Sequence, residues 1–183
     1  MKILFVMNIP YFPGIGGASK ANRLLAEQLA QLGDSVRVVA PLHIAGADTD
    51  DETLSNNMAR HGLAVERRED IFSFHWNGVE VGAVKDLSKM RAQFNRLINE
   101  FEPDWVIVSS EDPSHNLLDA AMSVCQSKVI YIAHTPAFLP FGPQSFLPSD
   151  HRTKLIGRVP HIISISKFSR EYLQLYMVFG RFL

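Results

Sequence analysis

Cysteine is almost absent from this chain. Cys125 is the only one among 183 residues, which excludes an internal disulfide and a cysteine-built zinc cluster and fits a reducing compartment. Its place in an apolar helix repeat marks it as a buried, unreactive thiol. An excess of positive charge is lacking too: 18 Lys and Arg stand against 19 Asp and Glu, for a formal charge of −1. The concentrated basic footprint that phosphate-backbone binding requires is therefore missing, and nucleic acid is excluded as the main partner. No apolar run approaches the roughly eighteen residues of a membrane span. The amino-terminal run is broken by Asn8 and Pro10, too early for a signal peptide, so the expected location is the cytoplasm. Two nucleotide motifs are absent as well. There is no G-x-x-x-x-G-K-[ST], which rules out a nucleotide-hydrolysing loop of that kind. The second apolar run, Val36 to Pro41, closes without the acid that a dinucleotide fold sets on a ribose hydroxyl. His43, His61, His115, His151 and His161 show no ligand spacing and read as structural or exposed; no metal site is expected. The acidic run Asp48 to Glu52 reads as a solvated face.

What is present describes a globular α/β domain. Hydrophobic residues make up 46% and charged residues 20% of the chain, enough for a core and too apolar for disorder. The length fits one domain spanning 1–183. Its centre is the stretch Ile9-Pro10-Tyr11-Phe12-Pro13-Gly14-Ile15-Gly16-Gly17-Ala18-Ser19. Before it, Lys2 to Met7 is apolar on both faces, as a buried parallel strand reads. After it, Leu25, Leu29 and Leu32 recur at helical spacing until Gly33 stops the helix. Glycines at the start of a helix leave backbone N–H groups bare beside the positive end of the helix dipole, so a phosphate is the expected guest. The structural alternative is that Gly16-Gly17 only turn the chain into the helix.

Further along, a short helix is expected near Thr53 to Arg60. Ile71 to Trp76 and Val79 to Val84 flank Asn77-Gly78, a strong hairpin signal; His75 and Trp76 read as packing residues beside the turn. Asp86 caps a helix whose Leu87, Met90, Phe94, Leu97, Ile98 and Phe101 form one apolar stripe. Asp104 to Ser110 is a third buried strand, with Asp112-Pro113 read as cap and first residue of the following helix. Lys128 to Ala133 and His161 to Ile165 are further strands; Ser166 caps a last helix with Phe168, Tyr172 and Leu175 on one face. Pro136 to Pro148, with four prolines and an apolar content unusual for a loop, folds back, covers a cleft or touches a partner. Strand and helix alternate. That order calls for a Rossmann-like, mainly parallel sheet with helices on both faces, plus the Asn77-Gly78 hairpin.

In an open parallel sheet, ligands bind outside the carboxyl ends of the strands. Those ends collect Gly16-Gly17, Ser109-Ser110-Glu111, His134-Thr135 and Ser164-Ser166. Backbone amides, hydroxyls, a carboxylate and an imidazole suit a polyhydroxylated or phosphorylated small molecule. For His134 the plain alternative is a strand-end imidazole bonded to a carbonyl, and for Glu111 it is ornament on a helix start.

Gly16-Gly17, then Leu25-Ala26-Glu27-Gln28-Leu29-Ala30-Gln31-Leu32-Gly33, then Val36-Arg37-Val38-Val39 resemble the opening of GT-B glycosyltransferases of family 4. That opening reads glycine pair, Leu-Ala-x-x-Leu, Gly-His and a valine strand. The resemblance runs on through Asp104-Trp105-Val106-Ile107, Ala133-His134-Thr135 and Ile163-Ser164-Ile165-Ser166 in the family's order. It implies an amino-terminal, acceptor-holding domain, with the nucleotide sugar gripped by a second one. It places Gly16 and Gly17 against the donor diphosphate, His134 in the catalytic role beside the transferred sugar, and Thr135 near an acceptor phosphate. Ser110, Glu111 and Ser19 are expected on the acceptor side as well. The family retains anomeric configuration and usually needs no active-site metal; no cofactor is expected, and the donor would be a UDP- or GDP-sugar. The acceptor would be a sugar, a phosphosugar or a lipid-linked sugar, the last bringing peripheral membrane contact.

Asp34 stands where the family usually has histidine. The basic pair and Glu-x7-Glu motif of the donor half are not among these residues, and the apolar run Tyr176 to Leu183 reads as a chain cut short. A donor-binding domain is thus the expected missing partner, and the chain alone is expected to be inactive. Two other readings stay open: a non-catalytic or split binding module, and a sugar-nucleotide epimerase-like enzyme of the same two-domain shape.

Overall fold

Apolar runs separated by amphipathic helices do build a mostly parallel sheet. The computed structural model describes residues 1–14, 16–43, 56, 58–68 and 70–179. The acidic run at 48–52, much of the helix expected at 53–60 and the residues 180–183 lie outside the described residues. The chain divides into two compact units, Met1–Asp104 and Trp105–Leu183.

In the first unit β1 (Lys2–Val6), β2 (Ser35–Pro41), β3 (Glu66–Arg68), β4 (Ile71–Trp76) and β5 (Val79–Val84) lie in the order β3-β4-β5-β2-β1. β1 runs parallel to β2 with Ile3 opposite Val36, and β2 runs parallel to β5 with Val39 opposite Gly82. The hairpin forms as read: Trp76 pairs with Val79, and Asn77 and Gly78 both hold positive φ, 48° and 83°, as a two-residue turn matched to strand twist requires. The hairpin is no appendage, because β5 itself enters the parallel ladder.

Helix α1 (Gly16–Gln31) starts at the glycine pair and ends in a Schellman motif. Gly33 at φ 96° donates to the Ala30 carbonyl, and Asp34 N–H reaches back to Leu29. The leucine repeat that marks this helix in the sequence is not its core face. The buried residues are Ser19, Asn22, Ala26 and Glu27, whereas Leu24 and Leu32 are exposed. Ala26 and Ala30 let the helix approach closely; a Cβ on Gly78 would already meet that of Ala30 at 3.3 Å. Large side chains are therefore pushed to the flanks. Helix α2 (Met90–Phe101) follows the expected stripe at Met90, Phe94, Ile98 and Phe101, which are buried, whereas Leu97 is half-buried and Leu87 is exposed in the 3₁₀ turn that Asp86 caps.

In the second unit β6 (Trp105–Ser109), β7 (Val129–Ala133) and β8 (His161–Ser164) are parallel and adjacent in that order, linked through α3 (Asn116–Cys125) and α4 (Asp150–Ile156). Helix α5 (Lys167–Phe179) follows β8, and Ser166 caps it by accepting the Ser169 N–H at 3.0 Å. Three expectations need correction. Asp112-Pro113 does not open α3, which begins at Asn116; Asp112 instead folds a turn with Ser114 and still reaches the Leu117 N–H at 3.0 Å. On α5, Tyr172 is buried with Ser169 and Leu173, while Phe168 and Leu175 face solvent. Cys125 is only half-buried; its thiol donates to Ala121, and burial holds its pKa above the ordinary value. The proline-rich segment folds back in part. Leu139 and Phe141 are buried, and the Tyr172 hydroxyl donates to the Phe141 carbonyl at 3.0 Å, while Phe146 is 70% exposed. Among the described residues no helix is long and apolar enough to cross a membrane.

Candidate functional site

Polar groups gather at the strand ends of each unit, for different local reasons. In the first unit, Tyr11 is buried beneath the glycine loop and Phe12 packs on Trp76 and His61, with ring centroids 5.2 Å and 5.1 Å away. Trp76 is thus a packing residue, and what it packs is the loop. Gly16 at φ 82° makes the left-handed step into α1 that a side chain would oppose. Nothing lies within 4 Å of where a Cβ of Gly16 or Gly17 would stand. The glycine pair is exposed and the first turn of α1 carries no acidic residue, the setting in which a helix start can take an anion.

One turn further in, the environment reverses. Ser19 is fully buried under Gly14, whose Cβ would stand 3.7 Å from the serine hydroxyl. In this conformation it offers no surface to a ligand. Beyond it lies a polar cluster that sequence reasoning missed. Buried Glu27 pairs with Arg23 at 3.3 Å and accepts from the Asn77 amide at 2.9 Å, and burial, with the Glu27 charge adding to it, pushes the Tyr11 phenol well above its ordinary pKa. The cluster ties the loop, α1 and the hairpin turn together. Its only trace in the sequence is an Arg and a Glu four residues apart on a helix, a pattern usually left on the surface.

In the second unit, β6 delivers Ser109, Ser110 and Glu111, all buried. The Ser110 N–H extends the ladder to the Ile132 carbonyl at 2.9 Å, and the Ser109 hydroxyl donates to Glu111 Oε2 at 3.3 Å. β7 delivers His134 and Thr135. The His134 N–H donates to Ser110 Oγ at 3.0 Å, and burial holds the imidazole pKa below its ordinary value. Thr135 is half-buried, and its hydroxyl accepts the Ala137 N–H at 3.4 Å to cap a 3₁₀ turn. Ser110, Glu111, His134 and Thr135 are therefore one local group, while Gly16, Gly17 and Ser19 belong to the first unit. His115, read from sequence as structural or exposed, is the former: 1% exposed, with Nε2 3.0 Å from the Tyr131 hydroxyl. Among the described residues no three His, Cys, Asp or Glu side chains converge as a metal site.

Residues 15–180 match the profile of the family described as Glycosyltransferase Family 4. None of the curated proteins matches the chain. Among solved structures, the catalytic domain of Starch Synthase IV from Arabidopsis thaliana, bound to ADP and acarbose, is similar at 10% identity and a TM-score of 0.49. The match covers 87% of this chain and 37% of that one, so this chain spans well under half the length of that relative.

Proposed function

The chain belongs to glycosyltransferase family 4, and from that premise we propose that it forms the acceptor-binding half of a retaining, nucleotide-sugar-dependent glycosyltransferase. The observation that carries the reading is the exposed Gly16-Gly17 pair at the start of α1, with open space above both residues. The diphosphate of a UDP- or GDP-sugar lies against these N–H groups, and the positive end of the helix dipole favours the charge that builds on the leaving group. His134 stands beside the transferred sugar. Burial keeps its imidazole neutral at pH 7, so it can hydrogen-bond a sugar hydroxyl without bringing a second cation next to an oxocarbenium-like centre. Glu111 and Thr135 border the acceptor.

Transfer also needs cations around the diphosphate and a fixed approach of acceptor to donor. A donor-binding domain supplies these, and residues 1–183 alone do not turn over. The exposed Phe146 and Leu147 offer an apolar contact for the donor domain or for a lipid surface that presents the acceptor. The test is to incubate the whole protein that carries this chain with a panel of UDP- and GDP-sugars and assign the product anomer by NMR. Release of nucleoside diphosphate with retained configuration is expected from the whole protein and none from residues 1–183. Silence of the whole protein across the panel, or an inverted product, refutes the reading.

A further inference from the structure

Behind His134 a line of hydrogen bonds runs wholly inside the second unit, and its polarity can be worked out atom by atom. His115 Nδ1 lies 3.1 Å from the Pro113 carbonyl oxygen. A carbonyl only accepts, so Nδ1 carries the ring proton and Nε2 is left as an acceptor. Nε2 is 3.0 Å from the Tyr131 hydroxyl, which must spend its single proton there. The Tyr131 oxygen keeps its lone pairs for the Ser110 hydroxyl, which stands on the same sheet face of the neighbouring strand, two residues beyond the Val108 that lies opposite Tyr131. With its proton used, Ser110 Oγ receives the His134 backbone N–H at 3.0 Å. Every donor points the same way, from His134 toward Pro113.

We propose that His115, Tyr131 and Ser110 are positioning residues, which hold the His134 segment at the end of β7 through this one-way chain. The inference rests on the reading of His134 as a residue beside the transferred sugar. All three are 1% exposed or less, so these bonds are shielded from bulk water. His115 also holds φ 57° at the N-cap of α3, a conformation that a non-glycine residue keeps only where its surroundings over-determine it. The groups facing its ring are Tyr131, Asp112 and Arg152. Arg152 donates to the same Pro113 carbonyl at 2.7 Å. Burial is the largest influence on the imidazole and, with Arg152, lowers its pKa, against the pull of the Pro113 carbonyl and Asp112. The neutral ring is the state the chain needs, because a protonated Nε2 would confront the Tyr131 proton.

The test uses the whole protein labelled with ¹⁵N-histidine, compared with Tyr131→Phe, His115→Gln and a control, Val129→Ala, which loosens the same strand without touching the chain. The expected result is an Nδ1–H tautomer for His115 in the unmodified protein and an upfield shift of the His134 amide proton in Tyr131→Phe and His115→Gln but not in Val129→Ala. In both chain variants kcat for donor turnover falls by about tenfold to a hundredfold with KM nearly unchanged. An Nε2–H tautomer, or a His134 amide unmoved in both chain variants, overturns the proposal. An amide that moves while kcat does not would sustain the chain and refute the place of His134 beside the sugar. Should Tyr131→Phe fail to fold, the tautomer and His115→Gln still decide.

Discussion

Replacing Gly17 by alanine separates the two jobs a glycine can do at the start of α1. Gly17 does not hold a positive φ, and a Cβ there meets nothing within 4 Å. Alanine should thus be accepted and should favour the helix by roughly 0.5–1 kcal/mol over glycine, raising the melting temperature by about 1–4 °C for a domain of this size. The new methyl would, however, occupy the space through which a phosphate oxygen reaches the backbone. A hydrogen bond to a charged group contributes roughly 1.5–3 kcal/mol, so losing one weakens diphosphate binding by about tenfold to a hundredfold. Gly16→Ala makes the contrast. Its φ of 82° strains alanine by about 1–2 kcal/mol, so this variant should lose binding and stability together. Calorimetric titration of the whole protein with UDP and GDP, beside thermal melts, reads both quantities. A Gly17→Ala protein that melts higher and binds its nucleoside diphosphate as tightly as before would refute the role given to the glycine pair.

Three further outcomes are expected. His115 and His134 both have folded-state pKa values below the ordinary 6.5, so between the folded and unfolded values the unfolded chain holds more protons. Stability is then present above about pH 6.5 and lost as pH falls; melts from pH 7 to 5 should show that decline, and it should be shallower in His115→Gln and His134→Gln. Gly142 has φ 78°, and a Cβ there would overlap the Tyr172 hydroxyl. Gly142→Ala should lose about 1–3 kcal/mol in urea denaturation, and Tyr172→Phe should relieve part of it in a double-mutant cycle. The whole protein should float with anionic liposomes, and Phe146→Ser should float less; absence of flotation by the unmodified protein would end the membrane assignment.

Much of the fold was legible because the relevant signals are local. A strand apolar on both faces, such as Ile3 to Met7, can satisfy its side chains only inside a covered sheet. Asn77-Gly78 can take the two positive φ values of a tight hairpin where most residue pairs cannot. The strand-end residues of the candidate site were legible for the same reason, since a parallel sheet exposes its ligand edge wherever apolar runs stop. The failures share a cause as well. The periodicity of Leu25, Leu29 and Leu32 identified a helix correctly but not the face that meets the sheet. Close packing against the Asn77-Gly78 turn selected Ala26 and Ala30, and it buried Glu27 instead of the leucines. Asp112-Pro113 carried a helix-start signal, which the turn around Ser114 displaced to Asn116.

The chain by itself therefore determined most of the strands and the longer helices, though not β3 or α4, together with the hairpin, the glycine pair at a helix start and the polar strand ends, because each depends on neighbours a few residues apart. Only the tertiary structure decided that Ser19 is sealed, that Glu27 joins loop to hairpin, that His115 bonds Tyr131 and that Ser110 receives the His134 N–H. Those links join residues brought together by strand register and helix docking, and a hydrogen bond depends on where two atoms end up in space, which spacing along the chain does not encode.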